Sequence, residues 1–413
     1  MASGDATISA LSNILKTKYD QKTFYQLFYR KAPLIGAMRK DEKFGGNNAR
    51  ISLRYGSPQG GSLTFTNAQT NKTSSSDAGF LLTRVKDYQV SGISGEALAA
   101  ADGDENTLYN GLKGEMEGSM RNLNRSMQIQ SYRNGGGQRG KGNSAWTITG
   151  NVVTLSVAAD ITNFEVSMWC DFAADDGYNN GSPTSVRAGG PVQITALDRT
   201  AGTITFGNVA NLSVQVPAIA NSDYLFRNGD YSLGVSGIAS WTPDTAPSST
   251  AFFGVDRSKD VVRLGGVRYN GNGGNKEETL IDAAELVSRE GADDLTCFMN
   301  NLDRADIVKS LGSKAMYDVV KSTDGTWGYK ALVIEGPDGP IKLVSEVNCP
   351  RGFFKLLQMD TWVMKSIRGA PRLLDDDGNK MLRESNNDGY EWRMGAYWQI
   401  GCEAPGYNLA GTF

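Results

Sequence analysis

Apolar positions along this chain change period several times, and each change marks a predicted element. Between residues 50 and 92 they fall two apart, as Ile51, Leu53 and Tyr55, then Leu63 and Phe65, then Tyr88 and Val90. That is the period of strands with one buried face. The stretch from Gly56 to Gly79 is nearly uncharged and rich in Gly, Ser, Thr and Asn. The spacing therefore predicts a long two-stranded excursion with little to pack on inside its own subunit, and an isolated hairpin of that kind is marginal in water. From 105 to 133 the period lengthens to three and four, and Leu108, Leu112, Met116, Met120, Leu123 and Met127 form one stripe. One long helix of roughly 40 Å follows from it. Asp102, Asp104 and Glu105 stand at its start, Arg121, Arg125 and Arg133 toward its end, and Gly135, Gly136 and Gly137 stop it. Gly111, Gly114 and Gly118 inside it each cost about 1 kcal/mol relative to Ala, so close packing on a neighbouring element has to hold the helix.

Further along, Trp146 and Ile148, Val153 and Leu155, Val192 and Ile194, and Ile204 and Phe206 alternate between turns at Gly150-Asn151, Gly189-Gly190, Ala201-Gly202 and Asn228-Gly229. This predicts a β-rich lobe over 145–235. A connector containing SWTPDTAPSST leads to a mixed segment: a helix near 277–289 presenting Leu280, Ile281, Ala284 and Val287, a strand at 295–299 and a helix at 303–311. Turns at Gly336-Pro337-Asp338-Gly339 and Asp376-Asp377-Gly378-Asn379 then separate strands that run to the end, and no internal repeat is visible.

Composition narrows the chemistry. The chain of 413 residues has no histidine, which removes Ser-His and Cys-His triads and the commonest general base. Lys plus Arg is 42 and Asp plus Glu is 45, a net charge of -3 that does not suit a chain coating nucleic acid through its phosphates. The balance is uneven: residues 1–60 hold ten basic and four acidic side chains, +6 in all, leaving -9 for the remainder and -5 within 145–235. Tyr19, Phe24, Tyr25, Phe28 and Tyr29 interleave the basic arm. Such an arm reads as a strap over an acidic neighbouring surface; stacking on nucleic acid and an intramolecular core segment are the alternatives. The 49 glycines, about 12% against a typical ~7%, belong to turns, hairpin tips and linkers. Cys170, Cys297, Cys349 and Cys402 lie far apart and signal neither a zinc site nor a disulfide framework. No signal peptide or apolar span is legible, so a soluble compartment is expected, with no membrane partner.

Three segments imitate catalytic or metal motifs and fail on chemistry. Gly135 to Lys141 fits the spacing of a phosphate-binding loop, but Gly142 stands where a metal-binding hydroxyl is needed, and the loop follows a helix instead of opening one; a flexible linker is the plain reading. Asp102 to Asn106 begins like a calcium loop, but Thr107 replaces the turn glycine and Lys113 the bidentate acid. Asp375, Asp376 and Asp377 read as a hairpin tip. No cofactor or metal and no catalytic residue is expected.

The order of parts is basic arm, extended hairpin, long helix, β-rich lobe, α/β lobe and final strands. That order resembles the major capsid proteins of tailed bacteriophages, with the HK97-type fold. KFGGNNARISLRYGSPQGGSLTFTNAQ and GFLLTRVKDYQVSGISGE are similar to the start of that family's extended loop and its return into a spine helix. AFFGVDRSKDVVRLGGVRYNG resembles a segment of one phage capsid branch, and IKLVSEVNCPRGFFKLLQMDTWVMKSI resembles the recurrent strand, Pro-x-Gly (Pro350, Gly352), strand, Asp-x-Trp (Asp360, Trp362) pattern. The resemblance covers 10–140 and 240–405; 145–235 looks inserted.

The resemblance implies an α+β fold: N-terminal arm 1–45, extended E-loop 46–92, P domain with spine helix 93–144, added β-rich subdomain 145–235, A domain with connector 236–360, and P-domain return strands 361–413. It implies a structural protein, not an enzyme. Its copies would form hexamers and pentamers of an icosahedral virion shell around double-stranded DNA, assembled in the host bacterial cytoplasm and without sequence-specific DNA binding. A scaffolding protein and a portal would be its partners, with room for a cement protein. The arm begins close to Met1, so a separate scaffold is expected. Intersubunit contacts are expected at Lys16, Lys18 and Lys22 of the arm and at Leu63, Phe65, Lys72 and Phe80 of the E-loop. The alternative is a phage tail or surface-adhesion protein whose β-rich lobe binds glycan or a receptor, with Trp146, Trp169 and Tyr178 as a stacking platform. Some relatives of the resembled family also join a Lys to an Asn by an isopeptide bond; Lys72, Lys86, Asn386 and Asn387 are the residues that reading would draw on.

Overall fold

A computed structural model of the chain describes residues 32–96, 105–145, 150–178, 185–207, 210–311, 332–375, 378 and 381–413, with side chains of the long helix from 114 onward. Among the described residues the β structure comprises three six-stranded sheets and one two-stranded ribbon. Strands and helices are numbered in chain order.

The first sheet is organised by β19 (Gly389–Cys402), the longest strand. It pairs antiparallel with β4 (Val85–Ser94) on one side and with β16 (Trp362–Ser366), β17 (Arg372–Leu373) and β18 (Leu382–Arg383) on the other. β1 (Arg39–Asp41) extends it in parallel beyond β16. A short helix, α1 (Pro33–Ala37), precedes β1 and is buried at Pro33, Leu34, Ile35 and Gly36. Residues 32–36 and Met38, within the arm expected at 1–45, are thus core, which is the intramolecular alternative for that stretch and not a strap.

Along one face of this sheet runs α3 (Glu105–Tyr132), matching the helix expected from the apolar stripe. Leu123 and Met127 are fully buried, and Leu123 packs with Ile93, Trp392 and Met394 while Met116 and Met120 flank them. The alternation in β4 identifies a strand but reverses its faces. Tyr88 and Val90 are 46% and 51% exposed, whereas Asp87 and Ile93 turn toward the helix. Polar partners on α3, described below, make that inversion tolerable.

The ribbon is β2 (Asn48–Gly56) against β3 (Ser76–Thr83), with the short helix α2 (Phe65–Thr70) at its tip where strand alternation was expected. The β-rich lobe is an antiparallel sheet in the order β5 (Gln138–Lys141), β10 (Tyr224–Arg227), β7 (Trp169–Ala173), β8 (Val192–Asp198), β9 (Thr203–Phe206) and β6 (Val152–Thr154). Its own core includes Val153, Phe172, Val192, Ile204, Phe206 and Leu225. The sheet starts at β5, inside the stretch assigned above to the spine-helix domain.

The third sheet runs β11 (Val267–Asn270), β20 (Leu409–Thr412), β15 (Phe353–Gln358), β12 (Leu295–Met299), β14 (Gly339–Ser345) and β13 (Leu332–Gly336). Helix α4 (Lys276–Ser288) buries Leu280, Ala283, Ala284 and Val287 in the core of this layer, and α5 (Asn301–Leu311) adds Ile307. β13 and β14 close on the expected Gly-Pro-Asp-Gly turn, with Gly336 opposite Gly339. The last strand departs from expectation: β20 pairs with β11 and β15 and so seals the α/β sheet instead of the first one.

Candidate assembly surfaces

The ribbon has two physically different ends. At its base Ile51 is 5% exposed and Phe80 and Leu82 are fully buried, and Phe80 meets Trp241 edge-on at 4.9 Å and Phe252 at 6.2 Å. Phe80 therefore does not serve as an intersubunit contact: the ribbon base is anchored in its own subunit, and an aromatic ring packed on two others has no surface left for a neighbour. An Arg54–Asp77 ion pair at 2.8 Å bridges the ribbon midway.

Toward the tip the burial ends. Leu63 is fully exposed, Phe65 is 78% exposed and Lys72 faces solvent, while no residue of α2 is buried. The tip is nevertheless ordered by its own hydrogen bonds: the Thr73 backbone N–H donates to the Gln59 carbonyl at 2.7 Å, and the Gln59 N–H to the Thr73 hydroxyl at 2.9 Å. A pre-formed loop that holds bare apolar side chains in water is the usual mark of a binding surface. A second bare patch lies on the first sheet, where Tyr88 packs edge-on against Tyr397 at 5.8 Å beside exposed Val90. Lys16, Lys18 and Lys22 lie outside the described residues. Lys86, Asn386 and Asn387 are exposed.

Behind these surfaces is a buried polar cluster that no sequence period announces. Asp87 of β4, 2% exposed, accepts hydrogen bonds from Ser126 at 2.6 Å and Gln130 at 2.9 Å on α3, and from Arg227 of β10 at 2.7 Å. Arg227 also pairs with Asp230 at 2.7 Å, and Arg139 of β5 donates to Ser126 at 2.9 Å. Burial pushes the Arg139 guanidinium down to about 10, with Arg227 adding repulsion. Burial also works to lower Arg227, but the Asp87 and Asp230 carboxylates outweigh it and raise that group. The cluster ties the strand that returns from the ribbon, the long helix and the β-rich lobe together.

The Gly135-Gly136-Gly137 stretch is a packed junction, not a flexible linker. A Cβ at Gly136 would sit 1.8 Å from the Asp176 carbonyl oxygen, and one at Gly137 2.2 Å from that of Asp230. Only glycine lets these backbones touch. Beside it a groove of about 550 Å³ runs between Arg84, Lys86, Asn134, Tyr178, Leu233 and Phe253.

The aromatic platform of the adhesion alternative is not assembled among the described residues. Trp169 is 43% exposed on β7, whereas the Tyr178 hydroxyl accepts from Arg257 at 3.3 Å; Trp146 lies outside them. Among the described residues no group of His, Cys, Asp or Glu could hold a metal ion, and no helix is long and apolar enough to cross a membrane. Asp376 and Asp377 are outside them. All four cysteines are buried and free.

No protein-family model and no curated protein sequence matches the chain. Its fold, however, matches the cyanophage A-1(L) capsid asymmetric unit at a TM-score of 0.51, with 12% identity, over 95% of this chain and 94% of that one. The capsid of an empty GTA particle aligns at 0.48 with 7% identity over 97% and 93% of the two chains. The satellite phage P4 procapsid aligns at 0.41 with 9% identity over 98% and 94%. With almost the full length of this chain aligning to almost the full length of the cyanophage subunit, the mixed α+β architecture described above is the HK97-type capsid fold.

Proposed function

We propose that this chain is the major capsid protein of a tailed phage, assembling as hexamers and pentamers into an icosahedral shell around double-stranded DNA. The observation that carries the reading is the near full-length likeness to the cyanophage capsid subunit. The ribbon supports it physically: its base is fixed in the core while its ordered tip presents Leu63 and Phe65 to water. Many such modest contacts, repeated by symmetry, add up to a closed shell. In this reading the ribbon is the E-loop, α3 the spine helix of the P domain, and the sheet of β11 to β15 and β20 the A domain. Leu63, Phe65 and Lys72 contact a neighbouring subunit, and Lys16, Lys18 and Lys22 attract its acidic surface. A scaffolding protein and a portal are partners in the bacterial cytoplasm, and a cement protein on the β-rich lobe is compatible with its exposed face. A net charge of -3 suits a container that must release its DNA.

Co-expression with the scaffold of its own phage and electron microscopy test this. Shells or capsid-like tubes are expected; discrete monomers or trimers that bind sugar would overturn it. Deleting 58–78 should leave a folded subunit that assembles poorly, and normal shells from that deletion would remove the intersubunit role of the tip. Charge reversal at Lys16, Lys18 and Lys22 should reduce particle yield per folded subunit. Loss of folding at unchanged yield per folded subunit would refute the strap.

A further inference from the structure

One carboxyl group sits where three elements meet. Glu346 follows β14, is 4% exposed, and its own N–H donates to the Met299 carbonyl at the end of β12 at 2.9 Å. Its Oε2 accepts the Leu34 backbone N–H of α1 at 3.3 Å and the hydroxyl of Tyr132, the last residue of α3, at 2.9 Å. Oε1 is buried with no hydrogen-bond partner. The N-terminal segment and the long helix thus both donate to a single oxygen atom carried by the α/β sheet, within an apolar core that Leu34, Tyr132 and Phe298 share.

We propose that Glu346 is a proton-operated latch on the N-terminal segment: protonated, it holds α1 against the end of α3 and the α/β sheet, and ionised, it loosens that joint. The latch is a property of the single subunit and stands or falls independently of the shell reading.

The physical reason is the cost of a buried charge. Among the described residues Glu346 forms no ion pair. From α3 it faces the Tyr132 phenol, itself pushed up by burial and by this carboxylate. From α1 it faces only a backbone amide, and from its own segment the Asn348 amide and the Cys349 thiol, which burial also pushes up. Burial pushes Glu346 up to about 7, although the Tyr132 and Leu34 hydrogen bonds pull the other way. The sign follows from linkage. The closed joint binds a proton that the opened, solvated carboxyl would release above its ordinary value of 4.5. The stability of the joint is therefore fully present at low pH and is lost as pH rises through about 7. Between pH 6 and pH 8 the closed-to-open ratio should fall about tenfold.

Hydrogen exchange on the unassembled, full-length subunit reads this directly, in peptides covering residues 32–44 and corrected for intrinsic exchange rates. Wild type should lose about tenfold in protection from pH 6 to pH 8, and Glu346→Gln should lose that pH dependence. Equal corrected protection at both pH values in wild type, or an unchanged dependence in Glu346→Gln, overturns the latch. Tyr132→Phe removes a donor to the ionised form and should move the transition to higher pH; an unshifted transition overturns the proposal even if Glu346→Gln fails to fold.

Discussion

Replacing Asp87 by alanine should loosen three elements at once. The side chain is 1% exposed and accepts from Arg227 at 2.7 Å, Ser126 at 2.6 Å and Gln130 at 2.9 Å. Stranding a wholly buried charge by deleting its partner costs about 3–5 kcal/mol. Here the loss falls at the low end of that range, because Arg227 keeps Asp230 at 2.7 Å and is 26% exposed, so water screens part of what is left. Ser126 and Gln130 also retain each other at 3.1 Å, and Arg139 still donates to Ser126. About 3 kcal/mol is the working figure for Asp87→Ala, and about 1–2 kcal/mol for Asp87→Asn, which keeps the shape and one acceptor. Equilibrium urea unfolding of the unassembled subunit, followed by tryptophan fluorescence, measures it. Trp241, Trp362, Trp392 and Trp398 are all fully buried around the first sheet and report its opening. A double-mutant cycle with Arg227→Ala should return a coupling of about 2 kcal/mol. An Asp87→Ala change below about 0.5 kcal/mol, the range of ordinary surface substitutions, or a coupling near zero, would refute the idea that this cluster fastens the lobe to the helix.

Other perturbations separate folding from assembly. Phe80→Ala should cost about 3–5 kcal/mol in subunit stability by urea unfolding, because it empties a site closed by Trp241 and Phe252. Phe65→Ser, at a side chain 78% exposed, should move stability by less than about 0.5 kcal/mol while lowering particle yield by microscopy. Gly136→Ala forces a Cβ to 1.8 Å from the Asp176 carbonyl oxygen, so the backbone must shift, and a loss of more than about 2 kcal/mol in the same unfolding assay is expected. Burial pushes the Cys170 and Cys402 thiols up to about 12, and raises Cys297 and Cys349 as well. The native subunit should therefore resist a thiol reagent at pH 8, and all four cysteines should react after denaturation.

How much of this was legible in the sequence differs from part to part. The long helix, the strand at Leu295–Met299, the helix that follows it and the Gly-Pro-Asp-Gly hairpin were readable within a few residues. Each has a local cause: a sustained 3.6-residue stripe, an apolar run between turn residues, or a dipeptide that fixes turn geometry. The tip helix Phe65–Thr70 was not readable, because two apolar residues spaced by two satisfy a strand pattern equally well. Hydrophobic alternation alone also points the faces of β4 the wrong way. Hydrophobicity names Tyr88 and Val90 as the inner side, but Asp87 is held inside by Arg227, which is 140 residues away in the chain.

The assembly surfaces show the same division. Leu63 and Phe65 lie in a nearly uncharged stretch of sequence, and both stand bare at the tip. Phe80 has the same chemical character but lies in the core, since which apolar residues of a ribbon are covered depends on where the ribbon meets the body. Glu346 carried no sequence signal at all: a lone acid after a strand is ordinary until α1, α3 and β12 converge on it.

By itself, then, the sequence determined the period of each segment, the positions of its turns, and the exclusion of histidine chemistry, because those depend on near neighbours and on composition. Tertiary structure alone decided which face of each segment is buried, which polar groups meet inside, and that the final strand closes the α/β sheet. These depend on contacts between residues far apart in the chain, and their energies exist only once the segments have packed.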